Sequence, residues 1–282
     1  MRKNIFQILQ EQFDMHTEIN RIYEVFKSHL FNKNTFVYSP EKLVDEFVFQ
    51  NWTQRNRCIN TSDMKDSLGI NSILRKEDPT MNELIIFLEY VENILNLAWK
   101  YKMNNDDVLY YPKYNILREN LDDLLDRINH EKYVFDDEEM VLIAEKNAEA
   151  TAVAEIVDTK TSLKVIKYNH YLLKGDIQAK KDIILELATK LEPKRKQLEK
   201  LDNKLSSNLF YLLNNLNLRH NNVDKTNKNY KDAVAKMRKD TLEKWYDETY
   251  QLELLAFLLL DNEKRNKKVD ELKAKVEEKA NA

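Results

Sequence analysis

Glycine and proline are scarce in this sequence. Its 282 residues include two glycines and four prolines, against average shares of about 7% and 5% in proteins. Sheet-rich and loop-rich proteins need these residues at turns, so their scarcity predicts long helices joined by short polar connections. Loops that cradle a phosphate through close backbone approach also need glycine, and no glycine-rich phosphate-binding motif is present.

Cysteine is scarce too, and histidine is scattered. Cys58 is the single cysteine, which excludes an intramolecular disulfide and a cysteine-based zinc site. The five histidines show no HExxH or HxH spacing, so no metal site is predicted. We expect neither a metal ion nor another cofactor.

Long apolar runs are missing as well. The longest, residues 254–260, is far shorter than the 18 or so residues that a membrane span requires. Residues 1–13 alternate apolar and polar side chains, which predicts an amphipathic helix and not a secretion signal. The sequence therefore predicts a cytoplasmic protein with no membrane association.

The residues that are abundant fit a globular helical protein. Hydrophobic residues make up 43% of the chain and charged residues 33%, with a net charge of −3, a balance typical of folded domains. Apolar side chains at steps of three and four between residues 84 and 98 indicate a buried helical face. Residues 132–135 and 140–145 flank an acidic turn and predict a hairpin. The predicted fold class is all-α, a multi-helix bundle with at most one small β-hairpin.

Three segments are expected along the chain: an N-terminal helical region of unknown role (1–131), a hairpin with a connecting helix (132–160), and a C-terminal helical bundle (161–282). The last main helix has a predicted buried seam at Leu242, Trp245, Thr249, Leu252, Ala256 and Leu259. The mixed-charge tail, residues 264–282, is interpreted as a solvated, fraying helix end without a function.

The run Arg219-His220-Asn221-Asn222 is the main candidate site. Continuing the helical stripe of Leu205, Leu209, Leu212 and Leu216 places Arg219 and His220 on the face that packs into the bundle. A cation and an imidazole there could converge on an anion. The spacing equally favours a structural role, since Arg and His complement the end of a helix dipole and Asn often caps a helix in the left-handed conformation.

Local charge favours a polyanionic ligand. Residues 219–239 contain seven Lys or Arg against two Asp, whereas the rest of the chain is net negative. A basic polar loop beside an Arg-His pair is typical of a nucleic-acid contact. The candidate RNA-binding residues are Lys225, Lys228, Lys231, Lys236, Arg238 and Lys239.

The last third of the chain resembles the helical domain of bacterial abortive-infection (phage-defence) proteins within the HEPN superfamily (higher eukaryotes and prokaryotes nucleotide-binding). Five runs carry the resemblance: YNHYLLKGD at 168–176, KKDIIL at 180–185, LEP at 191–193, LRHNN at 218–222 and WYD at 245–247.

Many members of that superfamily are metal-independent ribonucleases whose motif is an arginine, a polar residue and, several residues further on, a histidine. Arg219 matches the arginine and His220 occupies the polar position, but residues 224–226, where the histidine is expected, contain none. The resemblance implies His220 as general acid or base, Arg219 as the group that stabilises phosphorane charge, and Asn222 as a residue that orients one of them.

The resemblance also implies a homodimer in which two such motifs face each other, with RNA as a partner. A phage-derived or regulatory protein is a possible trigger. Two alternatives remain open. One is a non-catalytic helical interaction or sensor module that binds RNA or protein, and the other is a simple scaffold, which leaves the basic loop unexplained.

Overall fold

The computed structural model describes residues 14–280, and it is mainly helical, as the sequence predicts. Its contacts divide the chain into two compact units, Met1–Lys146 and Asn147–Ala282. The predicted connecting segment 132–160 is divided between them, because its hairpin belongs to the first unit and its helix to the second. The amphipathic helix predicted for residues 1–13 lies outside the described residues.

The first unit alternates helices with short strands. Its helices are α1 (Met15–Phe26), α2 (Pro40–Phe47), α3 (Thr61–Ser67), α4 (Ile70–Ile73), α5 (Met81–Met103) and α6 (Pro112–Arg127). Its strands are β1 (Phe31–Lys33), β2 (Phe36–Tyr38), β3 (Val108–Tyr110), β4 (His130–Phe135) and β5 (Met140–Glu145). Two 3₁₀ turns, Phe49–Asn51 and Thr53–Arg55, follow α2.

Helix α5 forms the centre of the first unit. It begins at a capping box in which the Thr80 hydroxyl accepts from the Glu83 N–H and the Glu83 carboxylate accepts from the Thr80 N–H, so two otherwise unpaired helix-end donors are satisfied. The apolar face predicted between residues 84 and 98 is buried, which confirms that prediction. Helices α1, α2 and α4 and strand β5 contact α5.

The strands form two small antiparallel sheets. The predicted hairpin is confirmed as β4–β5, with Phe135 paired to Met140 beside the acidic turn. A second sheet, which the sequence did not predict, is formed by β1, β2 and β3 in the order β2-β1-β3. Each of those strands has three residues, too few to show the alternation on which strand prediction depends.

The second unit is a helical bundle. Its helices are α7 (Ala148–Ala154), α8 (Thr159–Tyr168), α9 (Ile177–Leu191), α10 (Arg195–Leu201), α11 (Asn203–Asn215), α12 (Asp232–Ala235) and α13 (Lys239–Ala280). Two 3₁₀ turns, Tyr171–Leu173 and Glu192–Lys194, lie between them. In the described part of the chain, no helix is long and apolar enough to cross a membrane.

Glycine, aspartate and proline residues set the ends of these helices. Gly175 has a φ of +82°, a left-handed conformation that costs glycine little. The Asp176 side chain then accepts from the Ala179 N–H and caps α9, and Asp202 caps α11 in the same way through the Leu205 N–H. Pro193 lies in the 3₁₀ turn between α9 and α10, the interruption that its ring predicts.

Helix α13 contacts α7, α9, α10 and α11 and forms the centre of the bundle. Its fully buried face includes Tyr246, Tyr250 and Glu253. The predicted seam is right at Thr249 and Ala256, which are buried, and wrong at Trp245, which is 43% exposed. The seam was displaced because it was drawn through apolar residues, while the bundle buries two tyrosines and a glutamate there.

Candidate functional site

The candidate site lies where α11 ends. Asn217 has a φ of +56°, the left-handed conformation in which asparagine commonly terminates a helix. The N–H of Arg219 donates to the Leu213 carbonyl (3.0 Å) and folds the chain back over the last turn. The helical stripe therefore stops at Leu216, and residues beyond it no longer follow helical spacing.

The loop that follows, residues 216–231, is called the basic loop below. Two asparagines in its first part exchange hydrogen bonds. The Asn217 N–H donates to Asn222 Oδ1 (2.7 Å), and the Asn222 N–H donates to Asn217 Oδ1 (3.3 Å). The Lys231 N–H donates to the Asn222 carbonyl (2.8 Å), and Lys181 Nζ donates to the Asn217 carbonyl. The loop is thus held in place by its own polar groups.

Asn222 lies inside the basic loop and not on its surface. Its side chain is fully buried, and its Nδ2 donates to the Asn229 carbonyl (2.7 Å) while its Oδ1 accepts from Asn217. Neither end of the amide contacts Arg219 or His220. Both ends of the Asn222 amide thus fix the basic loop, and its role in orienting Arg219 or His220 stays a prediction.

Arg219 packs against the bundle, as the helical extrapolation predicts. Its side chain is 21% exposed and forms an ion pair with Glu192. The guanidinium lies 5.3 Å from the centre of the buried Phe210 ring, a cation–π distance. One part of the guanidinium is thus fixed by protein groups, and the exposed part remains accessible to a ligand.

His220 differs from Arg219. Its side chain is exposed, so the prediction that it faces the bundle interior was wrong, because the turn at Asn217 ends the helical phase. Within the described residues, no hydrogen bond or ion pair engages its ring. An exposed, uncommitted imidazole adjacent to a half-buried arginine suits proton transfer at a bound ligand.

The predicted RNA-binding side chains are all exposed: Lys225, Lys228, Lys231, Lys236, Arg238 and Lys239. Lys236 forms an ion pair with Asp232 (2.8 Å), and Arg238 forms one with Asp240 (2.5 Å). For the other four, no ion pair is found in the described part of the chain. The basic loop and the start of α13 therefore present cations that a phosphate could engage without displacing a carboxylate.

Sequence reasoning missed a buried acid in this bundle. Glu253 is fully buried, and among the described residues neither of its oxygens has a hydrogen-bond partner. Burial raises the pKa of Glu253 well above its ordinary value, and the positive charge of Arg219 opposes that rise. The Tyr246 and Ser206 hydroxyls are likewise buried without a partner in the described residues. No sequence signal marks a glutamate as buried, so only the fold reveals it.

The runs that carry the HEPN resemblance are brought together in the second unit. Lys180 Nζ lies 2.8 Å from Glu243 Oε1 and 2.7 Å from Asp247 Oδ1, and the Tyr168 hydroxyl donates to Asp247 (3.0 Å). Residues 168, 180 and 247, from three separate runs, thus form one cluster in which Tyr168 and Lys180 are buried. Because its charges are paired, we assign it a structural role.

Comparisons of the chain with protein-family models, curated proteins and solved structures found no match. Across residues 14–280, no group of three or more His, Cys, Asp or Glu side chains is arranged to hold a metal ion. Arg219, His220 and the basic loop are therefore the groups whose chemistry bears on function.

Proposed function

We propose that this protein binds RNA through the basic loop and cleaves it with Arg219 and His220, without a metal ion, in abortive infection against phage. The observation that carries the proposal is the position of His220. Its ring is exposed beside the half-buried Arg219, in a loop with three exposed lysines. Such a surface suits a ligand that has both negatively charged phosphates and a hydroxyl group that can give up a proton.

The reaction that fits these groups is transesterification within RNA. His220, as general base, removes the proton from a 2′-hydroxyl, whose oxygen attacks the adjacent phosphorus, and the bond to the 5′-oxygen breaks. The leaving oxygen takes a proton, which leaves a 2′,3′-cyclic phosphate and a 5′-hydroxyl. Arg219 stabilises the additional negative charge on the phosphorane oxygens.

One imidazole cannot supply both the base and the acid in a single step. The proposal therefore includes a homodimer in which the loop of a second copy contributes the other His220. Asn222 contributes only indirectly, by holding the loop that presents His220.

A non-catalytic RNA- or protein-binding module is the second candidate, and the ion pair between Arg219 and Glu192 favours it. In that arrangement, a phosphate must compete with a carboxylate for the guanidinium. Binding would then depend on the lysines, and Arg219 would serve mainly to join the end of α11 to the turn containing Glu192.

The salt dependence of RNA binding tests the proposed interface. Replacing Lys225, Lys228 and Lys231 together by glutamine removes three loop charges. The logarithm of the affinity for single-stranded RNA falls with the logarithm of salt concentration by about 0.7 per phosphate contact. We expect this slope to be shallower by roughly 2 in the triple variant than in the wild type. Fluorescence anisotropy with a labelled RNA measures it.

Lys196, Lys200 and Lys204 provide a matched control. They are exposed on α10 and at the start of α11, outside the basic loop, and their replacement by glutamine changes the net charge equally. We expect this control to keep nearly the wild-type slope. If both triple variants lose the same slope, RNA binding is a response to overall charge and the proposed interface is wrong.

A further inference from the structure

Helix α13 continues beyond the bundle that it helps to form. It spans Lys239–Ala280, 42 residues, which corresponds to a length of roughly 60 Å. Every residue from 264 to 277 is exposed, so this part of the helix packs against nothing among residues 14–280. We call residues 264–277 the free helix.

The free helix carries apolar side chains on one line. Val269, Leu272 and Val276 are 48%, 61% and 59% exposed, and they follow one another at steps of three and four. The same steps taken back towards the bundle reach Arg265 and Asn262, so the exposed apolar line begins at Val269. This spacing is the apolar seam of a coiled coil, and solvated helix surfaces have no need of it.

Charged pairs along the helix account for its persistence in solvent. Arg265 Nε lies 2.6 Å from Asp261 and Lys267 Nζ 3.1 Å from Glu263, each four residues away, and Lys273 Nζ lies 3.1 Å from Asp270. Pairs of opposite charge at these spacings stabilise a helix. The helix is thus formed in advance of any partner, which lowers the entropy cost of docking.

The residues beside the seam decide what kind of partner fits. Lys268 and Lys275 immediately precede Val269 and Val276, and Lys273 immediately follows Leu272. These are the flanking positions whose charges meet across a coiled coil. A parallel second copy would place Lys268 against Lys273, and an antiparallel copy would place equivalent lysines against each other, so self-pairing is disfavoured.

We propose that the free helix is a docking site for an amphipathic helix of another protein, one whose apolar seam is flanked by acidic residues. The lysines would then meet carboxylates, and Val269, Leu272 and Val276 would be removed from water. The proposed role differs from the interpretation of this tail, on sequence alone, as a helix end without a function. The inference is independent of the proposed RNA chemistry.

A pair of synthetic helical peptides tests the proposal on the full chain. Both have about three heptads with isoleucine and leucine in the seam, and they differ only in glutamate or lysine at the flanking positions. We expect the glutamate peptide to bind, measured by fluorescence anisotropy, and the lysine peptide to bind at least about tenfold more weakly. Equal binding of the two peptides, or binding of neither, would overturn the proposal.

Two kinds of variant locate the binding. Leu272→Asp should weaken the glutamate peptide roughly tenfold or more, since it places a charge in the seam, whereas Ala274→Asp adds the same charge on the opposite face and should change little. Circular dichroism checks that both variants keep their helix. The double variant Lys268→Glu, Lys275→Glu should reverse the preference towards the lysine peptide. Equal losses for Leu272→Asp and Ala274→Asp, an unreversed preference, or self-association through Leu272 would each contradict the docking site.

Discussion

At the scale of single residues, two asparagines and one glutamate decide the local structure of the second unit. Asn217 and Asn222 close the basic loop by exchanging hydrogen bonds between side chain and backbone. Asparagine suits this position because it tolerates the left-handed conformation and its amide can pair with the backbone. An asparagine next to a candidate catalytic pair therefore has a structural explanation here.

Glu253 is the clearest source of pH-dependent stability. Burial raises its pKa in the folded protein, so between pH 4.5 and that raised pKa the folded protein holds a proton that the unfolded chain releases. Stability from this group is fully present below the unfolded pKa and is lost as the pH rises. Glu253→Gln removes the titration, and at pH 8 it should raise the free energy of unfolding, because the folded protein no longer has to keep a carboxyl group protonated.

Urea unfolding at pH 8 and pH 5 measures this difference. The gain from Glu253→Gln should shrink at the lower pH, where the glutamate of the unfolded chain is closer to protonated. Glu248→Gln, on the exposed face of the same helix, should show no such change. A Glu253→Gln variant that is less stable at pH 8 than at pH 5, relative to the wild type, would mean that the carboxylate is ionised and paired in the folded protein.

At the scale of elements, long helices, their capping residues and the longer hairpin could be predicted from the sequence. Helix α5 shows an uninterrupted apolar face and begins at Thr80 with Glu83 in the capping-box position, and the β4–β5 hairpin has strands of six residues each. These signals are local, so the sequence contains all of them. The fold class follows from the same signals.

Other elements depend on partners far away in the sequence. Strand β3 pairs with β1, in a register that joins Asn32 to Leu109. A pairing between residues so far apart cannot be predicted from a local sequence pattern. The buried face of α13 includes Glu253 and Tyr246, which binary patterning assigns to solvent or to an edge. The exposure of His220 follows from the left-handed turn at Asn217, a single conformation that ends the helical phase.

Helix α11 offers a face for the proposed homodimer. Tyr211 is 64% exposed near the middle of this helix, and exposed aromatic residues are typical of interface cores. We expect the protein to sediment as a dimer and Tyr211→Glu to sediment as a monomer, because the charge would be buried at the interface.

Ile116→Glu is the control for that experiment. Ile116 is 52% exposed on helix α6 of the first unit, and the same new charge there should leave the dimer intact. If the wild-type protein sediments only as a monomer with RNA present, a site built from His220 of two copies is ruled out. The second, non-catalytic candidate would then explain the basic loop better.

At the scale of the whole molecule, the candidate chemistry belongs to the second unit. The basic loop, Arg219 and His220 lie in Asn147–Ala282, as do the residues of the HEPN resemblance. The chain as a whole has a net charge of −3, so attraction of a polyanion depends on this local concentration of cations and not on the overall charge.

Incubation of the purified protein with RNA in EDTA tests the proposed metal-independent cleavage at His220. We predict cleavage that leaves 2′,3′-cyclic phosphate ends and spares both DNA and 2′-O-methylated RNA of the same sequence. His220→Ala should reduce the rate by at least about 100-fold, while His29→Ala, which removes an exposed histidine in the first unit, should keep it. Cleavage that needs added magnesium, or that survives in His220→Ala, would contradict the account.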